Sequence, residues 1–210
     1  MRFADLDAVT IDAFGTLVEL RDPVGPLDLA LRSRGVERDR DAIEAAFRAE
    51  AEYYVPRSAT GRDEASLALL RRDCAAVFLD ALGAPLDPAS FAAPYVEALQ
   101  FTPVQGALEA VHALRRRGLA LAVVSNWDVG LAEHLDLLGI GALVDTVVTS
   151  AEAGAAKPEP AVFAVALDRL LVAADRTLHI GDSRADEEGA RVAGLRFAPA
   201  PLAAAVQALA

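Results

Sequence analysis

Apolar and polar positions follow two different rhythms along this chain. Near the start, the short apolar run Val9-Thr10-Ile11 ends in Asp12 and then turns through Ala13-Phe14-Gly15-Thr16-Leu17. A run of this length bounded by a turn residue predicts a buried β-strand. After Leu17 the chain reads as loop through Arg21-Asp22-Pro23-Val24-Gly25-Pro26, and beyond it the spacing is helical for a long way. Ile43, Phe47 and Tyr54 share one helix face; Leu67, Leu70, Cys74, Phe78 and Ala81 share another; Phe91, Tyr95 and Leu99 make a third. Breakers separate these sets at Pro56 to Gly61 and at Gly83 to Pro88. Residues 20–100 therefore read as an all-helical insertion.

From Phe101-Thr102-Pro103 onward, strands and helices alternate, the pattern of a parallel sheet covered by helices. The spacing predicts a helix from Ala107 to Arg117 and a strand from Leu119 to Val124, which ends in Ser125-Asn126-Trp127-Asp128. A helix from Leu131 to Leu138 and a strand from Val144 to Val148 follow. Lys157-Pro158 opens a helix to about Leu171, and Thr177 to Ile180 is a strand that delivers Gly181-Asp182-Ser183-Arg184-Ala185-Asp186. A strand near Leu195 to Phe197 and an alanine-rich helix finish the pattern. The fold class is α/β. Because such crossovers are right-handed, the carboxyl ends of the strands share one sheet edge. Asp12, Ser125 and Asp182 are expected there together, with Lys157 on a loop above them.

Composition narrows the partners. A chain of 210 residues that is 54% hydrophobic can hold one fair-sized domain with an insertion. Its net charge of −11 excludes an extended nucleic-acid surface, which relies on basic side chains against phosphates, and argues against an anionic membrane. The single cysteine, Cys74, rules out an intramolecular disulfide or a cysteine-rich zinc site and fits a reducing compartment. Met1 to Asp7 carries charges where a signal peptide needs an apolar stretch, and no run reaches the length of a membrane span. The expectation is a cytoplasmic monomer or homodimer acting on a small anionic molecule.

The gathered side chains suggest chemistry. A buried carboxylate such as Asp12 can serve as a covalent nucleophile. Ser125, with neighbouring backbone N–H groups, is placed to hold an anionic group, and Lys157 to neutralise charge developing on it. Asp182 and Asp186, four residues apart, join Asp12 in offering the hard oxygen ligands that Mg²⁺ prefers. The bland readings are a turn-capping Asp12, a solvated His112, and a His179 hydrogen-bonded in the core. Trp127 either lines a pocket or covers the core.

In this order, the stretches around Asp12, Ser125, Lys157-Pro158 and Asp182 to Asp186 resemble the haloacid dehalogenase (HAD) superfamily of hydrolases, and the helical insertion resembles its subfamily I, C1-type cap. The resemblance spans essentially the whole chain. Ser125-Asn126-Trp127-Asp128 and Arg21-Asp22-Pro23-Val24-Gly25 are most similar to the REG-2-like, HDHD3-like branch. It implies a Rossmann-like core from residues 1–19 and 101–210, a cap at 20–100, and an aspartyl-enzyme intermediate on Asp12. It also implies a Mg²⁺ site from Asp12, the Phe14 carbonyl, Asp182 and Asp186, and substrate contacts from Phe14, Asn126, Trp127 and the cap residue Arg48.

The departures from the family pattern divide the function. Family phosphatases carry a second aspartate, an acid/base, where this chain has Phe14; losing such a group costs about 10²- to 10⁴-fold. An aromatic there, and Arg48 with Tyr53 and Tyr54 close behind, resemble the metal-independent 2-haloacid dehalogenases. Asp182 instead stands where those enzymes have a small neutral residue, and Phe163 where they have a tyrosine. The leading expectation is a slow Mg²⁺-dependent phosphate-ester hydrolase. A dehalogenase is the second, and a non-catalytic binding or regulatory protein the third.

Overall fold

The computed structural model describes residues 3–209. Strand β1 (Ala8–Ile11) is buried at all four residues, as expected of a largely apolar strand covered on both faces; its one polar residue, Thr10, is hydrogen-bonded. After a tight turn comes β2 (Val18–Leu20), followed by four helices: α1 (Val24–Arg32), α2 (Arg40–Tyr54), α3 (Glu64–Leu82) and α4 (Pro88–Ala98). The chain returns through β3 (Phe101–Pro103), which pairs with β2. Then α5 (Ala107–Arg116), β4 (Ala120–Ser125), α6 (Leu131–Leu137), β5 (Thr146–Thr149), α7 (Ser150–Ala153) and α8 (Ala161–Leu170) follow. The last elements are β6 (Thr177–Gly181), α9 (Arg184–Val192), β7 (Arg196–Pro199) and α10 (Leu202–Gln207).

The main sheet has the order β5-β4-β1-β6-β7, and every pair in it is parallel. The chain builds outward from β1 on one side and then on the other, so the order reverses at β1. That reversal is where ligands bind in open α/β sheets, beyond the carboxyl ends of the strands. Ile11 pairs with Val123 and with Ile180, which sets Asp12, Ser125 and Asp182 within a residue of one another at the carboxyl edge of the sheet, Ser125 as the last residue of β4. Helices cover the faces by simple patterning: in α5, Ala107, Ala110, Val111 and Leu114 are buried while Arg115 and Arg116 point outward. His112 is exposed on that helix.

The chain divides into two compact units, one running to Glu19 and resuming at Thr102, the other spanning Leu20–Phe101. The second is all helical apart from its ends and has its own apolar centre. There Phe78 stacks on Phe91 with ring centroids 6.1 Å apart, and Tyr95 tilts against Phe78 at 5.0 Å. Helix α3 starts with a capping box, Asp63 accepting from the Ser66 backbone while the Ser66 hydroxyl accepts from Asp63 N–H. No helix among the described residues is long and apolar enough to cross a membrane.

Three elements start two or more residues away from where the sequence pattern puts them. Helix α1 begins at Val24, inside the stretch read as loop, because Pro23 and Pro26 occupy its cap and first turn, where no backbone donor is needed. Helix α8 begins at Ala161 rather than at Lys157, since Pro160 caps it and the preceding residues form a turn. Strand β5 begins at Thr146, later than Val144, because residues Gly141–Leu143 make a 3₁₀ turn and Asp145 is committed to Arg115 and to the Leu121 N–H.

One buried carboxyl stands out in the helical unit. Glu50 is 5% exposed, faces the Cys74 thiol and the Tyr95 hydroxyl, and pairs with no cation among the described residues. Burial raises its carboxyl above the ordinary glutamate value of 4.5, with the two neighbours offsetting part of the effect. The favourable protonated form is fully present below 4.5, and its contribution is lost as pH rises through the elevated folded value. Glu50→Gln is therefore expected to melt at a higher temperature than the wild type near neutral pH, with the gap closing as pH falls towards 4.5. Thermal melts across that window check this; a variant that melts lower at every pH contradicts it.

Candidate active site

The sheet edge places Asp12 at the end of β1, its backbone N–H still in the ladder with Ile180 O at 2.9 Å. The chain then turns sharply: the Gly15 N–H bonds Val18 O, and Gly15 takes φ +84°, a region that suits glycine. A side chain at Gly15 would overlap Asp182 Oδ2, so the turn after Phe14 lies directly against Asp182. At the end of β6, a side chain on Gly181 would in the same way overlap the Asp186 carboxyl. Both glycines are where backbone and carboxylates approach closely.

Lys157 holds the cluster together. Its Nζ donates to Asp12 Oδ1 at 2.5 Å, to Asp186 Oδ1 at 2.5 Å and to Val124 O at 2.9 Å, which uses all three ammonium protons. Its side chain is 3% exposed. Ser125 Oγ donates to the same Asp12 Oδ1 at 3.2 Å, and Asp12 Oδ2 has no hydrogen-bond partner among the described residues. Ser125 and Lys157, expected at substrate oxygens, thus both grip the carboxylate itself.

Asp186 is more fully engaged. Its Oδ1 accepts from Lys157 and from His179 Nε2 at 2.9 Å, and its Oδ2 from the Ser183 N–H at 3.1 Å and the Ser183 hydroxyl at 2.5 Å. The Ser183 contacts are a capping box that starts α9. Four donors fill the four lone-pair sites, so a metal ion could take Asp186 as a direct ligand only by displacing one of them. Asp182, by contrast, is exposed. Ligand oxygens of Asp12, Asp182 and Asp186 lie within 4.8 Å of one another.

Electrostatics follow from three carboxylates around one ammonium. Burial pushes the Asp12 carboxyl up to about 6; Lys157 pulls it down, and Asp186 and Asp182 push it up further. Burial and the Asp186 charge also raise Asp182. Burial acts to raise Asp186 too, but hydrogen bonds from His179, Lys157 and Ser183 outweigh it and hold that carboxyl below the usual range. Negative charge in excess of the local cation, on hard oxygen donors, fits a divalent cation such as Mg²⁺.

The remaining expected residues have distinct places. Phe14 is 51% exposed and tilts towards Trp127, ring centroids 6.4 Å apart. Trp127 is buried and also meets His134 at 6.1 Å, so it both covers the core and backs Phe14. Asn126, expected at substrate, has its side-chain amide turned onto the backbone of Lys157: Nδ2 donates to Lys157 O at 3.0 Å and Oδ1 accepts from Lys157 N–H at 2.7 Å. Its observed work is to fix the loop that carries the lysine. Arg48 is exposed on α2 and pairs with Glu44 at 3.3 Å.

His179 is hydrogen-bonded in the core, as expected, but its partners, Thr10 and Asp186, were not foreseen: Thr10 and His179 form a buried polar pair behind Asp186. Lys157 is also the only lysine in the chain, against nineteen arginines. That count is a sequence-level signal: where every other cation is arginine, one lysine marks a place that a planar guanidinium does not fit.

Comparison with known proteins finds relatives along most of the chain. A family model described as haloacid dehalogenase-like hydrolase matches residues 6–194. Haloacid dehalogenase-like hydrolase domain-containing protein 3 of Mus musculus is 32% identical over 203 residues, covering 89% of this chain and 78% of that protein. The phosphoglycolate phosphatase of Rhodospirillum rubrum is 34% identical over 202 residues, covering 90% and 76%. Among solved structures, the L-2-haloacid dehalogenase from Xanthobacter autotrophicus aligns with a TM-score of 0.65 at 25% identity, over 92% of this chain and 77% of that one.

Proposed function

Because the chain belongs to the haloacid dehalogenase-like hydrolase family, we propose that it is a magnesium-dependent hydrolase of small phosphate esters that works through an aspartyl-enzyme intermediate on Asp12. The observation that carries the reading is the carboxylate cluster: exposed Asp182 beside buried Asp12, in excess of the one ammonium that joins Asp12 to Asp186. A dehalogenase attacking a carbon–halogen bond has no need of that second, open carboxylate. A substrate carboxylate would be repelled by it.

With Oδ1 held by Lys157 and Ser125, Oδ2 is the Asp12 oxygen free to attack phosphorus. As the new O–P bond forms, the bond from phosphorus to the leaving oxygen breaks. That oxygen takes its proton from a water molecule, since Phe14 offers none, and the hydroxide so formed takes a proton from the water that attacks next. Water then attacks phosphorus, the Asp12–phosphorus bond breaks, and inorganic phosphate leaves with Asp12 restored. Mg²⁺, held by Asp12, Asp182 and the Phe14 carbonyl, would supply neutralisation of the phosphoryl charge. Asp186 acts from behind, by holding Lys157. The missing acid/base at Phe14 makes slow turnover the expected behaviour.

The second reading, metal-independent removal of halide from a 2-haloacid, is favoured by Phe14 itself and by the likeness to a haloacid dehalogenase structure. One paired assay separates the two: phosphate release from p-nitrophenyl phosphate and a panel of small esters, and halide release from 2-chloropropionate, each with Mg²⁺ or with EDTA. Phosphate release that needs Mg²⁺ and vanishes in Asp12→Asn is expected. Halide release indifferent to EDTA, without phosphate release, would replace the proposal with the second reading.

A further inference from the structure

Strand β6 is buried along its whole length, and its third residue is a histidine. His179 has no exposed surface; Phe163 meets its ring edge-on at 4.9 Å and Phe197 lies at 6.4 Å. An apolar side chain would suit that packing, yet both ring nitrogens are engaged. Nδ1 lies 2.9 Å from Thr10 Oγ1, and Nε2 lies 2.9 Å from Asp186 Oδ1. The sheet itself sets the first contact, since Thr10 and His179 are register partners across β1 and β6.

The hydrogen-bond roles follow from the partners. An ionised carboxylate only accepts, so Nε2 carries the proton towards Asp186. A neutral ring then has a lone pair on Nδ1, and the Thr10 hydroxyl donates to it. Burial lowers the His179 pKa, in keeping with a neutral ring. Anchored at Nδ1 by Thr10, the ring reaches through Nε2 to one carboxylate, Asp186, which in turn holds Lys157 at 2.5 Å, and Lys157 holds Asp12 at 2.5 Å. The contacts run unbroken from the interior of the sheet to the carboxylate at its edge.

We propose that His179 is a positioning residue: through an Nε2–H bond fixed by Thr10, it sets the Asp186 carboxylate that aims Lys157 at Asp12. The proposal rests on Asp12 as the nucleophile and serves attack on phosphorus or on carbon alike. Lys157 has three protons and three acceptors at fixed places. If Asp186 turns, the ammonium follows it, and its hold on Asp12 loosens.

Three replacements separate positioning from packing. His179→Gln keeps an N–H donor near the place of Nε2, His179→Asn puts one near Nδ1 instead, and His179→Leu has none. Kinetics with p-nitrophenyl phosphate and Mg²⁺ are expected to show kcat down by roughly 10- to 100-fold in the Asn and Leu variants, as for other residues that orient a reacting group, with KM little changed. The Gln variant retains most of the wild-type kcat. Melting temperatures close to that of the wild type are expected for all three and establish that they fold. Two readouts need no turnover: imidazole ¹⁵N shifts report which nitrogen of His179 is protonated, and the ammonium resonance of Lys157, unambiguous in a chain with one lysine, reports whether that group stays locked. An Nε2–H tautomer, with an ammonium signal that persists in wild type and Gln and vanishes in Asn and Leu, is expected. A ring protonated at Nδ1, an ammonium signal indifferent to all three changes, or an equal loss of kcat in Gln and Asn overturns the proposal. A protein with the expected spectra but no phosphate release retains the positioning role and loses the phosphate-ester reading.

Discussion

Lys157→Met is expected to abolish turnover and to destabilise the core unit by about 3–5 kcal/mol, the range for removing one partner of a buried ion pair. The reason is what remains. Asp12 is 5% exposed and Asp186 is 1% exposed, and both depend on the same ammonium. Without it, two buried carboxylates face one another near a third, Asp182. Solvent screening gives little relief, because the lysine side chain is 3% exposed. Lys157→Arg is expected to fail as well. Three acceptors converge on a single nitrogen, Asp12, Asp186 and Val124 O, and a planar guanidinium cannot present three protons from one atom. Urea unfolding gives the stability change and phosphate release the activity. A methionine variant as stable as the wild type, or an active arginine variant, contradicts the role assigned to this residue.

Phe14→Asp is expected to raise phosphatase kcat by about 10²- to 10⁴-fold, the contribution of a positioned acid/base. The site can accept the change because Phe14 is half exposed, so an aspartate there leaves no carboxylate stranded in the core. What is lost is the tilted contact with Trp127, and that ring remains buried. The added carboxyl would protonate the leaving oxygen in the first step and take a proton from the attacking water in the second. It also adds negative charge near Asp12 and Asp182, so the variant is expected to depend more steeply on Mg²⁺. Steady-state kinetics on one ester, with halide release followed in parallel, decide the matter. An unchanged rate would mean that leaving-group protonation is not what limits this protein.

The sequence made the framework legible because β1, β4 and β6 are largely apolar runs that stop at a polar residue: Asp12, Ser125 and Asp182. Asp12, Ser125 and Asp182 could be assigned to one edge from right-handed crossovers alone, and the register sets Ser125 and Asp182 one residue beyond the level of Asp12. Helix α1 was hidden because proline reads as a breaker, although its first turn is where a helix tolerates proline. The finer contacts of the site were not legible. Asn126 looks like a free amide until its 31-residue separation from Lys157 is closed by the fold. The Thr10–His179 pair joins residues 169 apart, and only the β1–β6 register brings them together. Asp186 has the spacing of a metal ligand, yet its four donors arise from a helix cap, a buried histidine and the lysine, which no motif displays at once.

Asp12 and Asp182 are expected to form a working divalent-metal site beside Lys157. Calorimetric titration of the purified protein with Mg²⁺, with Asp182→Ala as control, tests it most directly. Binding heat in the wild type that disappears in the variant, while the variant melts as the wild type does, is the predicted result. No binding by the wild type, or equal binding by both proteins, would contradict the claim.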